Sequence, residues 1–380
     1  MKIGLITFHF AHNQGAVLQC YALQKALEQM GCEVKIINYC PSYHTVRYCS
    51  SPNPFIMAVQ AYKKSTSRKI HLRLYQAARR FCYGVNINIK KINKQTEHNF
   101  SCFINKHLNL TKQYKTLRAL SANAPDFDIY ISGSDQLWNP ELLDGSLDPA
   151  YFLNFGSSKT RKITYAVSLK ESLTEDEKKM MGKLCEGLDA ISLRERNSAA
   201  DEVLGGNYTT CIDPTFLLDC ESYNDVISEE VEKEPYIFVY GFQTTNEIVE
   251  AVNTISKKLG IRVINGSPNK IRLVGVEQAK DYGPDMFLSY IKNASFVVTN
   301  SFHGTAFSII FKKQFVTIAH TTRGKRMKDI LEKLGLSERL WKDSACDWEK
   351  EIDYTEADKK CACLKKHAYE YLEENIKIKA

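Results

Sequence analysis

No stretch of the 380 residues approaches the unbroken apolar run of about 20 that a membrane-crossing helix needs. The opening residues, MKIGLITF, pass straight into a strand-like pattern. They lack the apolar core and small-residue cleavage site of a leader, so a cytoplasmic location is expected. Metal-ligand spacing is also missing. The nearest approach is Cys361-Ala-Cys363 with Cys346 and His367, which is not the paired CxxC of a zinc site, and no metal is expected. Cys20, Cys185 and Cys211 sit inside apolar periodic segments, where reduced thiols are expected. There is no GxGxxG, Walker loop, zinc finger or RNA-binding signature, and nucleic acid is not an expected partner. Repeats and low-complexity segments are absent as well.

The scarcest residue in any one place is acid in the stretch 41–120. It holds fifteen Lys or Arg and a single acid, Glu97, for a net +14. The whole chain carries +7, so the remaining 300 residues sum to −7. Such a stretch is either a solvated helical insertion or a surface that meets something anionic, such as phospholipid head groups or a pyrophosphate-linked lipid.

What is present is a globular composition, 44% apolar and 25% charged, in a chain long enough for two domains. Periodicity predicts a β-α-β opening: strand 2–8, loop 9–15, helix 16–30 ended by Gly31, and strand 33–39. The alternation returns with strands at 128–132, 163–168 and 190–193. After the acidic stretch 221–234 and Pro235 it resumes with strands at 236–240, 261–265, 296–299 and 314–319. Helices are expected at 247–259, 284–292, 326–334 and 355–376. The fold class is therefore α/β, with two doubly wound, Rossmann-like domains facing a cleft. Residues 1–228 form the first, with the basic insertion 41–120. Residues 235–345 form the second, and 346–380 a helical tail.

Thr299–Phe307 reads TNSFHGTAF, between apolar runs that predict a strand before it and a helix from about His303. A helix N-terminus there offers unpaired, partly positive N–H groups to an anion. Ser301, His303 and Thr305 add donors, and Gly304 permits close approach of a ligand to the backbone. A phosphate or carboxylate site with a proton-transferring histidine is expected.

Five segments in this order resemble the polysaccharide pyruvyl transferase family: NQGAVLQCYALQKAL (13–27), ISGSDQLWNP (131–140), ISLRERNSA (191–199), IDPTFLL (212–218) and TNSFHGTAF. The resemblance implies a GT-B-like pair of domains, the first on the acceptor side and the second on the donor side. It implies transfer of the pyruvyl unit of phosphoenolpyruvate onto two hydroxyls of a sugar, often galactose or mannose, as a cyclic ketal with release of phosphate. The setting it implies is bacterial exopolysaccharide or capsular polysaccharide biosynthesis at the inner face of the plasma membrane, with no cofactor. The acceptor would be a sugar, free or polyprenyl-pyrophosphate-linked, and the basic insertion suits an anionic membrane surface.

This chemistry asks for an acid, a base and an anion clamp. His303 is the expected proton-transfer or phosphate-binding residue. Asp135 is the base for the sugar hydroxyl, the group that orients the sugar, or a simple Asp turn. Arg194 matches the family's arginine and is the expected clamp, with a structural ion pair as the plain alternative. Asn13 and Gly15, in the first strand–helix loop, are read as lining the cleft, Gln19 as reaching that loop from the helix, and Ser134 and Gln136 as polar groups after the strand. Trp138 is a sugar-stacking or a core residue. Asp213 is expected to shape the domain junction, and His9 and His12 are possible ligands or, as loop histidines usually are, simply solvated. Many relatives carry Arg where this chain has Ser301. Arg323, Lys325 and above all Arg326 are candidates to replace that charge. The substitution leaves open a nucleotide-sugar glycosyltransferase or a non-catalytic glycan-binding relative.

Overall fold

In the computed structural model the described residues are 1–44, 53–65, 69–90, 94–143, 145–229, 232, 234–267, 273, 275–279, 282–319, 324–342 and 347–376, without the side chains of residues 64 and 86–90. Arg323 and Cys346 lie outside them. The chain divides into two compact units. Met1–Pro214 with Tyr371–Ala380 form the first, and Thr215–Glu370 the second.

The first unit begins with β1 (Lys2–Ile6), α1 (Gln14–Gln29) and β2 (Glu33–Ile36). Four helices follow: α2 (Pro54–Lys64), α3 (Ile70–Lys90), α4 (Lys94–His107) and α5 (Leu117–Ala122). Then come β3 (Ile129–Trp138), β4 (Arg161–Leu169), α6 (Glu175–Cys185), β5 (Ser192–Leu193), α7 (Ser198–Leu204) and β6 (Thr209–Thr210). The six strands form one parallel sheet in the order β2-β1-β3-β4-β5-β6. Ile3, Leu5, Ile131 and Ile163 are fully buried within it. Helix α1 starts at Gln14 because the Asn13 side chain accepts the Ala16 N–H and caps it. It is buried nearly all round, not on one face. Tyr21 meets Phe103 of α4 at 6.3 Å, and Gln24 donates to the His107 carbonyl at 3.1 Å.

The largest departure from expectation is β3. It does not stop at Ser132 but runs to Trp138, paired with β4 throughout and carrying a register shift between Asp135 and Trp138. Gly133, Ser134 and Gln136 suggest a turn, yet after pairing with β1 ends at Ser132 the ladder with β4 continues and carries the polar residues along. The space at Gly133 is decisive: a Cβ there would lie 2.0 Å from the Tyr165 carbonyl oxygen.

The second unit contains β7 (Tyr236–Tyr240), α8 (Asn246–Leu259), β8 (Arg262–Asn265), β9 (Glu277–Gln278), α9 (Pro284–Asn293), β10 (Phe296–Thr299), α10 (Phe302–Ile310), β11 (Phe315–Ile318), α11 (Gly324–Leu334), β12 (Leu340–Trp341) and most of α12 (Thr355–Ile376). Its parallel sheet has the order β12-β11-β10-β7-β8-β9. Counted from β7 as first, that is the Rossmann order 3-2-1-4-5-6 read from the other edge. Ile237, Val239, Val298, Val316 and Ile318 share a core with Ile248, Val252 and Ile255 of α8. Trp348 also belongs to this core. The acidic stretch 221–234 lies inside this unit. Tyr223 within it packs edge-on against Phe307 at 5.2 Å. Both sheets thus have the doubly wound α/β form.

Candidate active site

In the first sheet the strand order reverses between β1 and β3, and the ends of these strands carry the motif residues. In such sheets the crevice at the carboxyl ends beside the reversal is where ligands bind. Three hydrogen bonds close a ring there. Gln19 Nε2 donates to Thr7 Oγ1 at 2.8 Å, Thr7 Oγ1 donates to the Ser134 carbonyl at 3.1 Å, and Ser134 N–H donates to Gln19 Oε1 at 3.2 Å. Ser134 Oγ donates to the Ala166 carbonyl at 2.9 Å and accepts from Arg194 Nη2 at 2.6 Å. The same Nη2 lies 2.7 Å from Asp213 Oδ2, with both side chains buried. Four of the five motifs therefore meet in one buried polar network. Asp135, next to Ser134, is half-buried in a left-handed backbone (φ 78°) and accepts the Gln136 N–H on Oδ1 at 2.8 Å. Ala166, on the facing strand, is also left-handed (φ 48°), and its N–H is held by Ser192 Oγ at 3.1 Å. Strained backbone of this kind concentrates where geometry serves a site.

In the second sheet the reversal lies between β10 and β7, and TNSFHG follows β10. Asn300 spans the two strand ends: its Oδ1 accepts the Phe242 N–H at 2.8 Å, and its Nδ2 donates to the Gln243 carbonyl at 2.7 Å. Ser301 caps α10, its hydroxyl accepting the Gly304 N–H at 3.4 Å. His303, 8% exposed, stands in the first turn. The Phe302 ring meets the His303 ring at 5.3 Å and the Arg326 guanidinium at 5.9 Å.

Several expected roles change with this geometry. Gln19 is fully buried with both ends of its amide engaged, and it holds Ser134 in position from α1. Gly304 serves helix–strand packing: a Cβ there would lie 2.2 Å from Thr299 Oγ1. Thr305 is spent on the Ser301 carbonyl and on Thr317 Oγ1. Gly15 belongs to the first turn of α1, not to the loop, and is buried. Asn13 is half-buried and Gln136 buried. Trp138 is a core residue, stacked on Phe152 at 4.4 Å with its indole N–H on the Tyr151 carbonyl. Arg326 is the third residue of its helix rather than the first, and Lys325 is exposed.

Sequence reasoning missed the acid of the ion pair. Asp213 pairs with Arg194 instead of only shaping a junction, and no spacing in the sequence links the two residues. It also missed Glu195, which is buried and accepts a hydrogen bond from Ser168 Oγ. Among the described residues, no group of three or more His, Cys, Asp or Glu is placed to hold a metal ion. Among them, too, no helix is long and apolar enough to cross a membrane.

His9 is not solvated. It is buried at the end of β1, with Nδ1 3.2 Å from the Thr7 carbonyl and Nε2 3.1 Å from Asn38 Oδ1. Burial pulls its pKa below the ordinary 6.5, against the opposing pull of those two contacts. His12 shifts the same way by burial, opposed by Glu97. Above about pH 6.5 both folded and unfolded forms are neutral; below it the unfolded chain takes up a proton that the folded chain resists. Stability should therefore fall as pH drops from about 6.5 toward the lowered value. In thermal melts over this range His9→Gln should show a shallower acid slope than the native chain, and an unchanged slope would exclude His9 as its source.

The model of the family described as polysaccharide pyruvyl transferase matches residues 13–323. No curated protein sequence matches the chain significantly. Among solved structures, the chain is similar to S. aureus MnaA in a co-structure with UDP, at 12% identity and TM-score 0.47 over 99% of this chain and 88% of that one. It is similar to an alpha-glucosyltransferase in complex with UDP and DNA, at 10% identity and TM-score 0.48 over 99% and 95%. A third likeness is to the E. coli heptosyltransferase WaaC, at 13% identity and TM-score 0.38 over 88% and 99%. The family model spans all five motifs, from the cap of α1 to the residue before α11, and on that match the chain belongs to the polysaccharide pyruvyl transferase family.

Proposed function

We propose that this protein moves the pyruvyl group of phosphoenolpyruvate onto two hydroxyls of one sugar, galactose or mannose, in the assembly of a bacterial surface polysaccharide. The observation that carries the reading is the family match over residues 13–323, three of whose motifs fall at the strand reversals of the two sheets while the other two reach the first reversal through Arg194 and Asp213. One hydroxyl adds to the central carbon of the enol phosphate while the methylene end takes a proton. Phosphate then leaves, and the second hydroxyl closes the ketal. The balance is one phosphoenolpyruvate and one diol to one carboxylated ketal and one phosphate, with no separate cofactor.

His303 is assigned to proton transfer or to the donor phosphate, at the N-terminus of α10, where backbone N–H groups favour an anion. Arg326, against the same phenylalanine ring, is assigned the charge that Ser301 lacks. Asp135 is assigned to the acceptor hydroxyls. Arg194 holds the middle of β3 through Ser134, and its proposed contact with substrate is made from that ion-paired position. The acceptor is placed at the cytoplasmic face of the membrane, linked to a lipid pyrophosphate.

The test mixes the protein with phosphoenolpyruvate and a panel of aryl and lipid-linked galactosides and mannosides. Acceptor-dependent phosphate release is followed, and the product is weighed by mass spectrometry. Phosphate release with a ketal-bearing sugar is expected. Thermal stabilisation by nucleotide sugars with none by phosphoenolpyruvate would overturn the reading in favour of a glycosyltransferase.

A further inference from the structure

Seven of the nine large apolar side chains exposed among the described residues fall within residues 55–83. That range is covered by α2 and α3, which pack on one another as a hairpin. Phe55 meets Phe81 at 4.9 Å, and the Arg73 guanidinium stacks over the Tyr62 ring at 4.1 Å while its Nε donates to the Tyr62 carbonyl. The hairpin holds itself together by these contacts and leaves its outer apolar side chains in water. Phe55 is 70% exposed, Ile70 64%, Leu74 56% and Tyr75 65%. On α3, Ile70, Leu74, Ala78, Phe81 and Val85 recur at the three- and four-residue spacing that places them along one face. Arg73 and Arg80 border this stripe on one side and Arg79 lies beyond its other edge, at 100° per residue.

We propose that the α2–α3 hairpin is a membrane-docking element. Its apolar ridge enters the head-group layer of an anionic bilayer, and the flanking basic residues contact lipid phosphates. An exposed apolar face bordered by Arg and Lys is the pattern of helices that lie in a bilayer interface. Long basic side chains there keep their charge at head-group level while their stems cover apolar surface. Charge selects this occupant over a second copy of the chain. The stretch 41–120 carries fifteen basic residues against one acid, and two such faces pressed together would repel. The inference deepens the proposed role in surface-polysaccharide assembly, on which its cellular setting rests. It adds that docking is by apolar insertion as well as by charge.

The experiment is co-sedimentation with phosphatidylcholine vesicles, with and without phosphatidylglycerol, at low and high salt. The native protein should pellet with the anionic vesicles and keep part of that binding at high salt, where screening removes the purely ionic share. Phe55→Ser/Ile70→Ser/Leu74→Ser should lose the salt-resistant share about tenfold or more. Arg79→Gln/Arg80→Gln should weaken mainly the low-salt binding. A Leu74→Trp variant provides a second readout, since its added emission should shift to the blue on vesicle addition. Circular dichroism checks that the variants fold. Failure of the native protein to bind anionic vesicles would overturn the proposal, as would serine-variant binding equal to native. A native dimer that the serine variant splits, without change in vesicle binding, would mark the hairpin as a self-association surface instead. Turnover of a soluble glycoside is read without vesicles, so loss of the docking reading and loss of the pyruvyl-transfer reading are separate results.

Discussion

Asp213→Leu should destabilise the first unit by about 3–5 kcal/mol and abolish turnover, because it strands the Arg194 charge in a buried site. Both partners are at most 4% exposed, so water cannot replace the lost carboxylate. The double variant Arg194→Met/Asp213→Leu should recover most of the stability, since a buried pair replaced by apolar groups is often near neutral. It should not recover activity. Ser134 Oγ keeps its bond to the Ala166 carbonyl in this variant but loses the arginine that holds it from the other side. Urea unfolding gives the stability, and phosphate release the activity. Recovery of both would reduce the pair to a structural role; recovery of neither would mean the pair is needed to form the sheet end at all.

His303→Ala should lower kcat by about 10²–10⁴-fold, the usual contribution of a positioned proton-transfer group. The fold should tolerate it. The cap of α10 is made by Ser301, and its packing by Phe302, Ala306, Phe307 and Ile309, all buried and all outside the substitution. The informative comparison is His303→Gln, which retains hydrogen bonding but cannot carry a proton. If His303 only binds phosphate, His303→Gln should restore much of the rate and change mainly KM. If it moves protons, kcat should stay low in both variants, and the pH–rate profile should lose one limb. Native-like kcat in both would remove His303 from the mechanism.

The parts of this fold that were readable from sequence are those where one periodicity acts alone. The strands Tyr236–Tyr240 and Phe296–Thr299 and the helix Thr355–Ile376 follow their apolar spacing, and the β-α-β opening does so to within two residues except at β2, which stops at Ile36 rather than at residue 39. The failures share a cause. At Gly133–Gln136 and at Gly304, residue type suggests a turn or an open backbone, but tertiary contact decides: the Tyr165 carbonyl in one case, Thr299 Oγ1 in the other. The candidate site shows the same divide. Motif order singles out Gln19, Ser134, Arg194 and His303, whereas the pairing of Arg194 with Asp213 joins the ends of two different strands, and one-dimensional spacing carries no trace of it. Exposure of the α2–α3 ridge was equally hidden, because an apolar stripe in a sequence reads as core until the surface that would cover it is sought.

The last helix gives the chain an unusual order of completion. Arg161 donates to the Asn375 carbonyl from Nε at 2.8 Å, and Tyr371 donates to the Thr164 carbonyl at 2.8 Å, so β4 of the first unit is secured by residues more than 200 positions downstream. All of the second unit is synthesised before those residues leave the ribosome. The first unit can collapse early, as N-terminal domains generally do, but it gains these contacts only after the second unit has been synthesised. Its maturation is thus timed by translation of the second unit, and a chain halted at Glu370 would release a second unit complete in itself and a first unit still missing its clasp.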